Sequence, residues 1–283
     1  MAEEYGVLGA TGRQGGAVVR ALRDRGLAVR ALVRRIDDPG SRAMAARGVR
    51  VVRADTDDPT SLPAAFAELA GLFAMTVFAG HGTAGEVVQG RAVADAAVAA
   101  GVPHVVYSSV GGADRGSGVP HFESKWAVER YLRDRGLRTT VVRPVFFMDN
   151  FVTAMAPVRE PEALVIRSPL LPDVPLQMIA VRDIGAVVAA VLTDPRLVPS
   201  GAVEVAGDEL TPEQIAEAFG RRTRTAVRFE TVPIATVDDD DSRAMFTWLG
   251  RTPAYQADFA LTRKLQPAVR TFDTFLAGSA ERW

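Results

Sequence analysis

The chain contains no cysteine. It can therefore form no disulfide and offers neither a thiolate nucleophile nor a cysteine zinc site. An excess of either charge is also missing: 33 basic side chains against 34 acidic ones leave a formal net charge of -1. Such a balance exerts no general pull toward nucleic acid or an anionic membrane, so any anion site has to be built locally. No apolar run reaches the roughly 18 residues that would span a bilayer. The opening Met1-Ala2-Glu3-Glu4 is acidic and lacks the basic and apolar regions of a secretory leader, so the expected location is cytoplasmic. His81 and His104 stand apart from other ligand types, and no metal site is expected. Ser108 and Ser109 lack the Gly-x-Ser-x-Gly elbow of an esterase nucleophile.

What is present is a rhythm. A helical stretch, a glycine and a short β-branched run recur at Gly26 before Leu27–Val33, Gly48 before Val49–Val52, Gly71 before Leu72–Phe78, Gly101 before Val102–Tyr107, and Gly136 before Leu137–Val142. A glycine just past a helix satisfies its last carbonyls in the left-handed conformation and releases the chain into a strand. Strands of four to seven residues alternating with helices predict an α/β fold, a Rossmann-type doubly wound parallel sheet over about residues 4–150.

After Asn150, prolines at 157, 161, 169, 172 and 175 interrupt the pattern. A helix is expected over Ile184–Leu192, and Thr211-Pro212-Glu213-Gln214 has the form of a capped helix start. The expected organisation is a dinucleotide-binding domain over 1–155, to which 178–206 returns, and a smaller C-terminal α+β lobe from 156–177 and 207–283. The acidic run Asp238–Asp241 reads as a solvated loop, without the ligand spacing of a calcium site.

The segment Val7-Leu8-Gly9-Ala10-Thr11-Gly12-Arg13-Gln14-Gly15-Gly16 leaves a strand and enters a helix. Gly9, Gly12 and Gly15 allow a tight turn, close approach of a pyrophosphate and close helix-to-strand packing. The free amides and dipole of the helix N-terminus favour that anion. An acid at the end of the second strand would select NAD by binding the ribose 2′-hydroxyl. This strand ends instead in Arg34-Arg35, which can pair with a 2′-phosphate, and Arg13 can approach from the turn. NADP(H) is expected over NAD(H).

The turn, together with Val29–Arg34, Gly118–Lys125 and Arg143–Phe151, resembles the NmrA-like (NmrA/HSCARG) family, an atypical branch of the short-chain dehydrogenase/reductase superfamily. The likeness continues more loosely through Val181-Arg182-Asp183-Ile184 and Tyr255-Gln256-Ala257-Asp258. It implies cofactor contacts from Thr11, Arg13 and Gln14 in the turn, Asp55 and Thr56 beside the adenine, and Ala79 and Gly80 under the cofactor. Ser108 and Ser109 would face the nicotinamide ribose, and Pro144, Val145 and Phe147 would border the nicotinamide.

The superfamily's reductases carry Tyr-x-x-x-Lys on one helix face, the lysine holding the ribose and lowering the tyrosine's pKa. This chain has His121-Phe122-Glu123-Ser124-Lys125, with histidine in the tyrosine's place. Lys125 is expected at the ribose and His121 as a proton donor, although an ammonium one turn away disfavours a protonated imidazole. Two functions follow from the resemblance. One is an NAD(P)H-dependent oxidoreductase acting on a small organic substrate such as a quinone or enone, in a cleft lined by Phe146, Phe147, Met148 and Phe151. The other is a non-catalytic redox sensor that regulates a protein partner. A homodimer is compatible with either.

Overall fold

The structure is a computed structural model that describes residues 3–279. Met1 and Ala2 of the acidic start, and 280–283 at the end of the expected lobe, lie outside the described residues. In chain order the strands are β1 (Glu4–Leu8), β2 (Ala28–Val33), β3 (Arg50–Arg53), β4 (Gly71–Met75), β5 (Val105–Ser108) and β6 (Thr139–Pro144), followed by β7 (Phe146–Phe147), β8 (Val158–Arg159), β9 (Leu164–Ser168), β10 (Leu176–Ile179), β11 (Ala202–Val205), β12 (Asp208–Leu210) and β13 (Val227–Thr231). The helices are α1 (Arg13–Asp24), α2 (Pro39–Ala46), α3 (Leu62–Phe66), α4 (Gly82–Ala99), α5 (Pro120–Asp134), α6 (Val181–Thr193), α7 (Pro212–Thr223), α8 (Asp240–Leu249), α9 (Phe259–Leu265) and α10 (Phe272–Ala277).

Seven strands in the order β11-β6-β5-β4-β1-β2-β3 form one sheet, every neighbouring pair parallel. The chain winds outward from β1 to β3, then crosses to β4 and winds the other way. The strand order therefore reverses between β1 and β4, where ligands of such sheets bind at the carboxyl ends. Alternate strand residues go to opposite layers. Val7, Ala31, Val33, Phe73, Val106 and Val142 pack with Val18, Leu22, Ile184 and Val188 of α1 and α6. Leu8, Leu32, Leu72, Val105 and Val141 pack with Phe66, Ala97, Val128 and Leu132 of α3, α4 and α5. Burial on both faces is why these strands read as near-continuous apolar runs.

Four of the five glycine junctions take a positive φ, at Gly26, Gly48, Gly101 and Gly136. Gly71 does not. It is the first residue of β4, where a Cβ would lie 3.0 Å from Leu192 Cδ1 and 3.3 Å from the Tyr5 ring. The left-handed residue before β4 is Glu68, with φ of 61°. The β4 strand also stops at Met75 rather than Phe78, and two of the three residues released, Thr76 and Val77, line the cleft described below.

Two small sheets, β12-β10-β7 and β13-β9-β8, join α7 to α10 in the C-terminal part, while β11 pairs with β6 at the edge of the main sheet. The Thr211 start is a complete capping box with Gln214, and Pro212 occupies the first turn. Among the described residues no helix is long and apolar enough to cross a membrane.

Candidate functional site

A cleft of about 310 Å³ opens at the carboxyl ends of β1, β2 and β4, over the point where the strand order reverses. Seven expected cofactor residues line it: Gly9, Thr11, Gly12, Arg13, Arg34, Thr56 and Ala79. Leu8, Leu32, Met75, Thr76, Val77, Asp57, His81 and Gln89 add to its walls.

The turn after β1 has the form of an anion cradle. Gly9 takes φ of 64°, and Gly12 N donates to Gly9 O at 2.8 Å. Gly12 is exposed and caps α1 without a side chain, and the first turn of α1 has no acidic residue to occupy its dipole. A Cβ on Gly12 would meet Gly9 O at 3.2 Å. Gly15 serves packing instead: a Cβ there would come within 2.2 Å of Gly9 O. Gln14 Oε1 accepts from Ser108 Oγ at 2.7 Å, tying the turn to the end of β5.

The arginines after β2 divide. Arg34 lines the cleft and, like Arg13, is exposed without a carboxylate partner among the described residues. Arg35 pairs with Asp38 at 2.8 Å and is not in the cleft wall. A turn without acids, two unpaired guanidiniums and apolar walls from Leu8, Leu32 and Met75 fit a phosphorylated dinucleotide.

Asp55 does not line the cleft. It accepts from Asp57 N at 3.1 Å and lies 3.7 Å from Arg53, while its own amide donates to Ser61. The carboxylate in the wall is Asp57, which accepts from Gln89 Nε2 at 2.7 Å and lies 3.6 Å from His81 Nε2. Thus His81, expected to stand alone, has an acidic neighbour. Gly80 sits with φ of 86° in the turn leading to α4. Pro144 and Val145 are buried at the end of β6, and Phe147 is half-buried in β7.

Lys125 lies behind the wall. Its ammonium contacts Glu86 Oε1 at 2.8 Å and donates to the Thr76 carbonyl and, at 3.2 Å, to Thr76 Oγ1. Glu86 is fully buried and also accepts from Thr76 Oγ1 at 3.1 Å and from the Ser124 hydroxyl. Burial pushes Lys125 below the ordinary lysine range, and Glu86 pulls it back. Thr76, not Lys125, reaches the cleft. Tyr107, with its ring 5.7 Å from Lys125 Nζ and its hydroxyl 2.9 Å from Thr76 Oγ1, does not line the cleft. It is 1% exposed, and burial pushes its phenol well above the ordinary range.

His121 is held from the C-terminal part of the chain. Its Nδ1 lies 2.5 Å from Asp241 Oδ2, and its backbone amide donates to Asp241 Oδ1 at 2.9 Å. The imidazole stacks on Phe78, with centroids 5.0 Å apart. Burial is the largest influence and moves the imidazole below the ordinary histidine range, with Asp241 opposing and Lys125 assisting. The run Asp238–Asp241 is therefore not simply a solvated loop. Asp239 caps α8 by accepting from Ser242 N, and Asp241 turns inward.

The aromatic segment after β6 also departs from expectation. Phe146, Met148 and Phe151 are buried, with the Phe146 and Phe151 rings tilted against each other in a cluster that includes Phe272. Three of the four residues expected to line a substrate cleft thus belong to the core. Asp57, Thr76, Glu86, Gln89 and Asp241 were missed by sequence reasoning. A faint signal existed for Glu86 and Gln89, three positions apart and polar among the mostly small and apolar residues of the first half of α4.

The model of the NmrA-like family matches residues 3–276. The NAD(P)H azoreductase of Xenophilus azovorans is 31% identical over 231 residues, covering 81% of this chain and 77% of that protein. An NmrA-like family domain-containing oxidoreductase, FrzB of Cladobotryum sp., is 33% identical over 158 residues; this match covers 52% of the chain and about half, 47%, of that protein. Among solved structures, NmrA, a negative transcriptional regulator, superposes with a TM-score of 0.81 at 23% identity, over 98% of this chain and 95% of that one, a likeness of fold. With the family model running from the first strand to the last helix, the chain belongs to the NmrA-like family.

Proposed function

We propose that this protein is an NADP(H)-dependent oxidoreductase of atypical short-chain dehydrogenase/reductase type, acting on a small organic substrate such as a quinone or enone. The observation that carries the reading is the pair Arg13 and Arg34, both lining the cleft and both without a carboxylate partner among the described residues. The α1 amides and Gly12 would receive the pyrophosphate, Arg13 and Arg34 the 2′-phosphate, and Thr56 and Asp57 would border the adenine. The bound cofactor would supply a hydride at the far end of the cleft, beyond Thr76, Val77 and Ala79. Lys125 would act there through the Thr76 backbone and hydroxyl rather than by direct contact. We further propose the division into a cofactor-binding part, 1–155 with 178–206, and a smaller lobe that closes on it. The likeness to the azoreductase and to the oxidoreductase FrzB supports this reading.

The second reading is a redox sensor. It is favoured by the Asp241 contact to His121, which ties α8 to the helix beside the cofactor cleft, and by the regulator among the structural neighbours. One experiment separates them. NADPH oxidation is followed with a panel of quinones and enones, and limited proteolysis is run in parallel with NADPH and NADP+. Steady turnover supports the enzyme. A cofactor-dependent digestion pattern without turnover rejects it in favour of the sensor.

A further inference from the structure

The Asp241 contact to His121 is more specific than a lobe contact requires. His121 lies in the first turn of α5, where amides lack partners within the helix, and the preceding Val119 supplies no side-chain cap. Asp241 fills that role from another helix, and its second oxygen takes the imidazole. Its neighbour in the acidic run behaves differently. The Asp240 side chain is 92% exposed and pairs with Arg243, whereas that of Asp241 is 17% exposed.

A carboxylate only accepts hydrogen bonds, so the imidazole nitrogen facing it carries the proton. Stacking against Phe78 on one face and the edge contact with Phe122 at 4.7 Å restrict ring rotation. Flipping the ring would replace Nδ1 by a carbon against Asp241. The opposite nitrogen, Nε2, has no partner among the described residues and is not among the enclosed, unsatisfied atoms. Phe78 itself sits between Val77 and Ala79, both in the cleft wall. The charged groups facing the ring are Asp241 from α8, Lys125 from α5 and Glu86 from α4.

We propose that Asp241 is a positioning residue that locks His121 in the Nδ1-protonated tautomer and makes Nε2 the proton-exchanging atom of the site. This rests on the oxidoreductase reading. In the step it serves, the cofactor when bound would supply a hydride to the substrate, and Nε2–H of the imidazolium would deliver the accompanying proton to the substrate oxygen. The neutral imidazole then keeps its proton on Nδ1, and Nε2 is reprotonated from water. An Asp–His pair contributed by two parts of the chain thereby occupies the place of the absent tyrosine.

The test uses the full chain labelled with 15N-histidine, the His121 signals being assigned by loss in His121→Gln. Wild type is expected to show neutral His121 protonated on Nδ1, and Asp241→Asn to show a mixed or reversed tautomer and a lower histidine pKa. With a quinone that turns over, Asp241→Asn should lower kcat about tenfold or more, a part of the roughly 10²–10⁴-fold that a placed proton donor contributes. It should shift the pH profile and leave NADPH affinity unchanged. A wild-type imidazole protonated on Nε2, or an Asp241→Asn enzyme with wild-type kcat and pH profile, overturns the proposal. Failure of the oxidoreductase reading looks different. The wild type would then bind NADPH and turn over nothing, while Asp241→Asn still changed the tautomer.

Discussion

Replacing Lys125 by methionine should destabilise the protein severely, although the exchange is nearly isosteric and apolar. Lys125 and Glu86 form an ion pair at 2.8 Å in which Glu86 is fully buried and Lys125 is 9% exposed. Removing the ammonium leaves a carboxylate enclosed with only the Thr76 and Ser124 hydroxyls as donors. Breaking a buried pair from one side costs about 3–5 kcal/mol, because the remaining charge stays desolvated. Adding Glu86→Gln removes that charge and keeps an oxygen acceptor for one of the two hydroxyls, while its NH2 can donate to the other hydroxyl's oxygen, so the double variant should be clearly more stable than Lys125→Met alone. Urea unfolding followed by circular dichroism measures all four corners of the cycle, with Lys264→Met on the exposed surface of α9 as the control. The control should change stability by less than about 0.5 kcal/mol. A Lys125→Met protein within about 1 kcal/mol of wild type, or a double variant no better than the single one, would refute the reasoning.

The arginines after β2 should separate in a cofactor titration. Arg34→Ala should lose roughly 1.5–3 kcal/mol of NADPH binding, about ten- to a hundredfold, with little change for NADH. Arg35→Ala should lose much less, since Arg35 is committed to Asp38. Equal losses from both would count against the assignment. In the turn, Gly12→Val should abolish NADPH binding in a folded protein, whereas Gly15→Ala should lower the melting temperature, because its Cβ collides with backbone at 2.2 Å. Melting curves and calorimetry distinguish the two, and a Gly15→Ala protein of wild-type stability would show that the close approach is misjudged. Because burial lowers the His121 pKa, the unfolded state holds the more tightly bound proton between that depressed value and about 6.5. Stability should therefore rise with pH across this window and fall as the pH drops through it. Urea midpoints from pH 5 to 7 for wild type and His121→Gln test this; identical pH dependence would exclude a contribution from His121.

Much of the fold was written locally. Alternating apolar runs and helices define parallel strands because each strand is buried on both faces, and helix-ending glycines at 26, 48, 101 and 136 take the backbone conformation that their position suggests. The glycine turn was legible for the same reason. Gly9, Gly12, Arg13 and the α1 N-terminus are consecutive, and Arg34 stands at the end of the adjacent strand. Sequence neighbours alone determine their chemistry.

Groups brought together by packing were not legible. Asp57 and Gln89 meet across 32 positions, and His121 and Asp241 across 120. No periodicity links such pairs, so an acidic run that looks like solvated loop can supply one inward carboxylate. The destinations of Lys125, Phe146, Met148 and Phe151 were decided in the same way. A lysine or an aromatic residue after a strand can face a ligand or the interior, and only the docking of α4 against α5 and of the small sheets against α10 chose the interior. The sequence by itself determined the sheet and its glycine turn through local backbone preference and alternating burial. The tertiary structure alone decided which charges are enclosed together, because desolvation acts on neighbours in space and not along the chain.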